Sequence, residues 1–204
     1  MRSAGRGRAI YLNEYATAPK LVRAVEFATE TLAGIPSILY GVFGYMVFCM
    51  LFGFKVSLLA GILTLTIMAL PIMIRTTQEA LRAVPRSYRE AALGLGSTKW
   101  YMVRTVLLPC SLKGILTGII LSTGRMVSES AALMLVAGQD GAYLPKGNLW
   151  QQLKTGGSTL SVELYRYATS RGDNNTAFGI AAVLIIIVIL LNMLARFIAG
   201  RLNK

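Results

Sequence analysis

The sequence predicts an all-α membrane protein with one domain. The chain has 204 residues, of which 54% are hydrophobic, and its mean hydropathy of +0.57 exceeds what a soluble core of this size needs. A helix of about 20 apolar residues crosses a hydrocarbon layer about 30 Å thick. Four stretches meet that length, at residues 32–54, 56–74, 115–137 and 177–195. We therefore expect four transmembrane helices, because a helix satisfies its own backbone groups in lipid.

The connections between these spans differ in charge. Residues 75–113 carry seven basic and two acidic side chains, whereas residues 138–176 carry four and three. By the positive-inside rule the first connection is cytoplasmic and the second is external. The basic segments 1–31 and 196–204 then also lie inside, so both termini of a transmembrane domain at residues 32–199 are predicted to be cytoplasmic.

The external connection contains a mixed polar and aromatic stretch at residues 149–167. Such a composition favours an interfacial helix, and Trp150, Tyr165 and Tyr167 are its aromatic members. A ligand role for these aromatics remains an open alternative.

Composition also excludes several functions. The net charge is +12, but the basic residues flank the spans and form no stripe interleaved with aromatics, so no nucleic-acid binding is expected. There is no histidine, and Cys49 and Cys110 lie far apart, which excludes a metal site built on these residue types. The phosphate-binding pattern GxxxxGK[ST] is absent. We expect neither an enzyme nor a cofactor, and any ATP hydrolysis must occur on a partner.

The cytoplasmic connection predicts two short helices joined by a tight turn. Ser87 and Glu90 have the spacing of a capping box, which starts a helix. Gly96 can end that helix, because glycine accepts the left-handed conformation. A second helix should run from about Thr98 to Pro109, where the missing donor interrupts the hydrogen-bond ladder.

Small side chains mark the same turn. Ala91, Ala92 and Gly96 offer little bulk, so a partner can approach the backbone closely there. The alternative is an ordinary surface hairpin in which Glu90 serves only as a helix cap.

The third span is the only one with ionised groups inside it, Arg125 and Glu129. Charges within a bilayer are costly and usually face a protein interior or a watery cavity. A separation of four residues places both on one face of a continuous helix. Small or polar residues extend that face, namely Gly114, Gly118, Ser122 and Ala132. We therefore predict that this helix lines a pathway between subunits.

The two charges suit a protonated oxyanion. The planar guanidinium of Arg125 matches tetrahedral oxyanions. Glu129 repels a fully ionised anion but can accept the proton that hydrogen phosphate carries and sulfate lacks. The alternative is an internal salt bridge that never meets substrate, and both roles can coexist if the bridge opens during transport.

The cytoplasmic connection also carries a family signature. Its residues 90–109 read EAALGLGSTKWYMVRTVLLP, which resembles at full spacing the EAA signature of ABC-transporter membrane subunits. The matching positions are Glu90, Ala91, Ala92, Gly96, Val106, Leu108 and Pro109. The resemblance implies that this loop docks on a separate ATPase subunit.

Further segments resemble the phosphate-specific ABC permeases of bacteria, of the PstA type. They are IYLNEYA (10–16), LAGIPSILYG (32–41), LPIMIRTTQEALRAVP (70–85) and GRMVSESA (124–131). The resemblance implies the MetI-like type I ABC importer core in the bacterial cytoplasmic (inner) membrane. It implies a second homologous permease, an ATPase dimer and an external phosphate-binding protein as partners. It also implies that Arg125 and Glu129, with Ser122 and Ser130, lie on the phosphate pathway.

The sequence departs from that family in two respects. After Glu129 the family commonly has Thr-Ala-Pro, whereas this chain has Ser130, Ala131 and Ala132, so the hydroxyl is kept and the proline that would kink the helix is lost. The family usually has six spans, so we expect an N-terminally shortened member. A truncated reading frame, a late start and a working short permease all remain open.

Three functions follow in order of preference. The first is a permease subunit that imports inorganic phosphate, and the second is a permease for another oxyanion, such as molybdate or sulfate. The third is a non-transporting membrane protein that regulates the transport machinery through the loop at Glu90.

Overall fold

The computed structural model describes residues 19–138 and 148–201, and within these ranges every regular element is helical. The helices are α1 (Pro19–Gly34), α2 (Ser37–Gly44), α3 (Leu58–Arg82), α4 (Arg86–Gly94), α5 (Lys99–Met102), α6 (Leu108–Val127), α7 (Ala131–Val136), α8 (Leu149–Leu153), α9 (Leu160–Thr169) and α10 (Asn174–Arg201). Two π-helical segments, Tyr45–Leu51 and Val103–Leu107, extend α2 and join α5 to α6. The all-α class is confirmed. The motif at residues 10–16 lies outside the described residues.

Three of these helices are long and apolar enough to cross a membrane, at Leu58–Arg82, Lys99–Val127 and Asn174–Phe197. A fourth crossing results if the broken pair Arg23–Gly34 and Ser37–Leu51 is counted as one span. The stretch predicted as a span at residues 32–54 is therefore broken near its start. Pro36 has an extended ψ of 138° and precedes the first helical residue of α2, so it separates the two segments.

The first of two compact units contains residues 69–122 together with the flanking segments at the chain ends that the structure describes. Its core consists of buried side chains from α3 and from the connection that follows it, namely Leu81, Val84, Met102, Val103 and Leu107. An ion pair between Arg82 and Glu26 ties α1 to the end of α3. Gly114 packs so closely on α3 that an added Cβ would lie 2.6 Å from the Ala80 Cβ. Small residues at this position therefore serve helix packing.

The second unit contains residues 35–68 and 123–193, and the short helix α7 lies in its core. Val136 packs with Phe48, Cys49 and Ala60, while Leu133 and Ala137 pack with Val162. Gly41 on α2 permits an especially close approach, because a Cβ there would lie 2.8 Å from the Ala132 Cα. The second unit is thus organised around α7.

Helix α10 differs from the others in its exposure. Its 28 residues are predominantly apolar, and only 6% of its most hydrophobic window is buried within the chain. A helix that is apolar on all sides is stable in lipid or against another apolar surface. Helix α10 therefore has the surface of a membrane-spanning helix.

Candidate functional site

The first candidate region is the connection between α3 and α6, at residues 83–107. Helix α4 begins at Arg86, directly after Pro85, and no side chain caps its first turn. The predicted capping box of Ser87 and Glu90 is therefore wrong. Because the helix starts one residue before Ser87, that hydroxyl lies inside the first turn and not at the capping position.

The turn after α4 agrees with the sequence. Gly96 has a φ of +79°, as predicted for the residue that stops this helix. The N–H of Gly96 donates to the Leu93 oxygen (2.9 Å), and the N–H of Ser97 donates to the Ala92 oxygen (3.2 Å). These are the two bonds of a Schellman motif. The next helix starts after Thr98, whose hydroxyl accepts from the Tyr101 N–H at 3.3 Å.

The predicted end of this second helix at Pro109 is wrong. Helical structure continues from Lys99 to Val127. The π-helical turn just before the proline ends with the Leu108 N–H bonded to the Val103 oxygen, five residues back. This wider turn shifts the pattern of backbone hydrogen bonds by one residue immediately before Pro109, which has no N–H to donate. The helix therefore continues past Pro109.

The loop has an anchored side and an exposed side. Arg89 donates from Nη2 to the Leu81 oxygen at 2.9 Å, which binds α4 to the end of α3. Ala92 packs against the core of the first unit, whereas Glu90 and Ala91 are exposed. Large exposed apolar side chains accompany them, namely Tyr88, Leu93, Leu95, Trp100 and Tyr101. We call these five residues with Glu90 and Ala91 the loop surface.

A groove of about 520 Å³ adjoins the loop surface. Its lining comprises Arg82, Val84, Arg86, Arg89 and Glu90. The combination of an exposed carboxylate, neighbouring arginines and uncovered apolar side chains is suited to a protein partner with both charged and apolar contacts.

The second candidate region is an interruption of the charged span. Helix α6 ends at Val127, residues 128–130 form a break, and α7 begins at Ala131. Arg125 lies in the last turn of α6 and is exposed, whereas Glu129 lies in the break and is 8% exposed. The prediction that both occupy one continuous helical face is therefore wrong. Both residues are described, and no ion pair joins them.

Glu129 makes two hydrogen bonds to other elements of the second unit. Its Oε1 accepts from the Ala132 N–H at 3.1 Å, which caps the first turn of α7. Its backbone oxygen accepts from the Ser161 hydroxyl at 2.7 Å. Ser130 precedes α7, but its side chain makes no capping bond. The break is therefore present although residues 128–132 contain no proline, and a carboxylate stabilises it.

Both ends of α7 are fixed by bonds from other segments. At its C-terminal end the Val136 oxygen accepts from the Ser57 N–H (3.0 Å), and the Ala137 oxygen accepts from the Gly157 N–H (2.9 Å). These bonds satisfy carbonyls that a helix end leaves open. Together with the Glu129 cap, they fix the position of α7.

The other predicted pathway residues have different surroundings. Ser122 is buried on α6, and Ser130 is half-buried in the break. The stretch at residues 149–167, which we predicted to be external, forms two helices, α8 and α9, in place of the single interfacial helix that we expected. Trp150 and Tyr165 are exposed there. The Arg171 guanidinium lies 4.6 Å from the centre of the Tyr167 ring.

The contacts that Ser161 and Arg89 make were not predicted from the sequence. Ser161 belongs to a hydroxyl cluster with Ser158 and Thr159 before an amphipathic stretch, which is a signal for a helix start. Nothing local indicates its bond to residue 129, which is 32 positions away.

Comparison with known proteins gives a consistent result. A family model described as the inner membrane component of binding-protein-dependent transport systems matches residues 10–204. A probable ABC transporter permease, YqgI of Bacillus subtilis, is 34% identical over 98% of this chain and 71% of its own length. The phosphate transport system permease protein PstA 2 of Mycobacterium bovis is 34% identical over 93% of this chain and 62% of its length. PstA of Xylella fastidiosa is 36% identical over 95% of this chain and 66% of its own length.

The chain therefore spans 62% to 71% of the length of these relatives. Among solved structures, the inward-facing MetNI methionine ABC transporter matches with a TM-score of 0.82 and 23% identity, over 99% of this chain and 87% of that one. A bacterial ABC transporter involved in the import of alginate matches with a TM-score of 0.70 and 13% identity, over 98% of this chain and 72% of that one. These two likenesses confirm the type I ABC importer permease fold.

Proposed function

The chain belongs to the family of binding-protein-dependent transport system inner membrane components, and on this premise we propose that it is the permease subunit of an ATP-driven phosphate importer. It lies in the bacterial cytoplasmic membrane with both termini inside. Its partners are a second homologous permease, an ATPase dimer and an external phosphate-binding protein. The chain translocates phosphate, and its partner hydrolyses ATP.

The loop surface supports the assignment of an ATPase partner. Glu90 and Ala91 are exposed on the short helix α4, and Gly96 is exposed in the turn that follows it. Leu95 is 89% exposed beside them, and an apolar side chain in that position gains free energy when a partner covers it. The bond from Arg89 to the Leu81 oxygen ties this surface to α3, so a force on the loop reaches a transmembrane helix.

The break around Glu129 supports phosphate as the substrate, and it is the observation that carries the proposal. A buried carboxylate in a non-helical segment of a membrane span is costly unless it has a function or a partner. Broken transmembrane helices commonly form substrate sites, because their backbone groups are free to meet a ligand. Arg125, one turn earlier, supplies the positive charge, and Glu129 supplies the acceptor for the proton of hydrogen phosphate.

The permeases named for phosphate transport are similar to this chain over most of its length. This similarity favours phosphate over molybdate and sulfate. The two latter anions carry no proton near neutral pH, so they have nothing to donate to a Glu129 carboxylate.

Uptake of labelled phosphate tests the proposal. The chain is expressed with the second permease, the ATPase and the binding protein in cells that lack their own high-affinity phosphate transporter. We expect saturable uptake that excess sulfate and molybdate leave unchanged. Competition by either anion would reassign the substrate, whereas ATPase binding without uptake of any oxyanion would support the regulatory alternative.

The variant Glu90→Lys tests the docking assignment separately from the substrate assignment. The substituted side chain is exposed, so the protein should insert in the membrane at the wild-type level. Because it reverses the charge on the loop surface, it should lose uptake through failure to couple with the ATPase. Equal uptake by this variant would contradict the docking assignment and leave the substrate assignment to the competition experiment.

A further inference from the structure

The external helix α9 is bonded directly to the break in the charged span. The Ser161 hydroxyl, in the first turn of α9, donates to the backbone oxygen of Glu129 at 2.7 Å. Both residues are buried, with 5% of Ser161 and 8% of Glu129 exposed. Water therefore does not readily replace this bond, and loss of the donor leaves a buried carbonyl unsatisfied.

The bond is the last member of a directed chain. The Val162 N–H donates to the Thr159 hydroxyl oxygen at 3.4 Å, and the hydroxyls of Thr159 and Ser161 are 2.9 Å apart. A hydroxyl has one hydrogen, and that of Ser161 is used toward Glu129, so Thr159 donates to Ser161. This series of hydrogen bonds runs from the start of α9 to the break, and each bond polarises the next.

The start of α9 is itself firmly held. Val162 is 1% exposed and packs with Leu133 and Ala137 at the end of α7. Glu163 bonds to the Ser158 hydroxyl and forms a 2.9 Å ion pair with Arg166. The hydroxyl chain thus begins at the firmly held start of α9 and ends in the break between α6 and α7.

We propose that Ser161 is a positioning residue for Glu129. Residues 128–130 have no continuous helical ladder to set their dihedral angles, so the bond from Ser161 fixes the Glu129 backbone. That backbone in turn directs the carboxylate toward the pathway and toward the Ala132 N–H. The external connection therefore sets the orientation of the charged group inside the membrane. This inference rests on the proposed function, because it takes Glu129 to be a pathway residue.

Three variants test the proposal in the complete complex with its permease partner, ATPase and binding protein. Ser161→Ala removes the hydroxyl, and Ser161→Cys keeps the volume but is a weak donor. Thr169→Ala is the control, because Thr169 is on the same helix but is exposed, and its hydroxyl donates within that helix to the Tyr165 oxygen at 2.7 Å.

The first readout is amide hydrogen exchange at residues 129–133 in detergent. We expect exchange of the Ala132 amide to accelerate about tenfold in Ser161→Ala and by a smaller factor in Ser161→Cys. The loop at residues 86–98 and the Thr169→Ala variant should exchange at the wild-type rate. Wild-type exchange at Ala132 in Ser161→Ala would overturn the proposal.

The second readout is phosphate taken up per ATP hydrolysed in proteoliposomes. We expect this ratio to fall about fivefold in Ser161→Ala, with ATPase activity unchanged, because the pathway is altered and the docking loop is not. An unchanged ratio would overturn the positioning role alone. A wild-type complex that takes up no phosphate would overturn the proposed function, and hydrogen exchange would still decide whether Ser161 holds Glu129.

Discussion

The Glu129 carboxylate accepts a hydrogen bond from the backbone N–H of Ala132, three residues later, at 3.1 Å. One side chain therefore both caps the short helix α7 and provides the buried charge of the interrupted span. These two roles have different chemical requirements, since the cap needs an oxygen acceptor and the proposed transport role needs an ionisable group.

Glu129→Gln should separate these roles. The amide oxygen can still accept from the Ala132 N–H, so we expect the complex to assemble at the wild-type level. Uptake should fall at least tenfold, because an amide cannot take the phosphate proton. Glu129→Ala should in addition destabilise the protein by about 1 kcal/mol through loss of the cap. Labelled-phosphate uptake and thermal unfolding measure the two effects. Wild-type uptake by Glu129→Gln would leave only the capping role.

Arg125→Gln should reduce uptake without removing the complex from the membrane. Arg125 is exposed at the end of α6 and has no ion pair with Glu129, so its loss should change the unfolding temperature little. The expected loss of uptake is tenfold or more, since a bidentate oxyanion contact disappears. Uptake and the amount of complex in membrane fractions are compared. A drop in complex amount that matches the drop in uptake would instead indicate a structural role.

Gly94 lies in the helix and Gly96 in the turn of the proposed docking loop, so substitutions at these two glycines separate the contributions of helix and turn. Gly96 has a φ of +79°, so Gly96→Ala should strain the turn by about 1 kcal/mol and weaken ATPase coupling. Gly94 is helical, and no atom lies within 4 Å of an added Cβ, so Gly94→Ala should be neutral or stabilising. Phosphate-stimulated ATP hydrolysis by the complex is the measurement. Equal losses in both variants would contradict a specific role for the turn.

Gly41→Ala should destabilise the second unit. A Cβ at this position would lie 2.8 Å from the Ala132 Cα, which is backbone and cannot rotate away. We expect a loss of about 1–3 kcal/mol, as for other overpacked cores. Gly34→Ala is the matched control, because no atom lies within 4 Å of its added Cβ. Thermal unfolding in detergent should show a lower midpoint for Gly41→Ala only.

The start of α10 should depend on pH through Asp173. The Thr176 hydroxyl (2.6 Å) and backbone N–H (3.1 Å) donate to this carboxylate and hold its pKa below the ordinary value of 3.8. A lowered pKa means that the capping contribution is fully present above about pH 4 and is lost as the pH falls through the folded value. The protection of the amides at residues 174–177, relative to an unstructured chain at the same pH, should therefore fall below pH 4.

Two variants examine this cap further. In Asp173→Asn the same amides should show no such acid transition, because the amide does not titrate. Thr176→Val should move the transition toward pH 4, since the main cause of the lowered pKa is removed. An acid transition that is identical in all three proteins would assign it to another group.

The features that the sequence predicted correctly are those set by neighbouring residues. Three long apolar helices follow from hydropathy, and the turn at Gly96 follows from the conformational freedom of glycine. The failures have longer-range or competing causes. The break at residues 128–130 contains neither proline nor glycine, and it is stabilised by Ser161 from 32 positions away. The predicted helix end at Pro109 was wrong because a π-helical turn immediately before it realigns the backbone hydrogen bonds.

The site residues show the same division. Glu90 and Ala91, chosen from a local pattern, are exposed, and their docking role stays a prediction. The shared helical face of Arg125 and Glu129 was an inference from periodicity, and it holds only while the helix is continuous. A pattern of apolar residues cannot reveal that the helix ends at Val127, because α7 on the far side of the break is apolar as well.

The exposure of α10 has a practical consequence for handling the protein. Phenylalanine, isoleucine and leucine side chains remain uncovered from Phe178 to Phe197. A preparation stripped of lipid would bring these surfaces of different molecules together and precipitate. Extraction in a mild detergent followed by transfer to lipid nanodiscs should keep the chain monodisperse, whereas dilution of the detergent should remove it from solution.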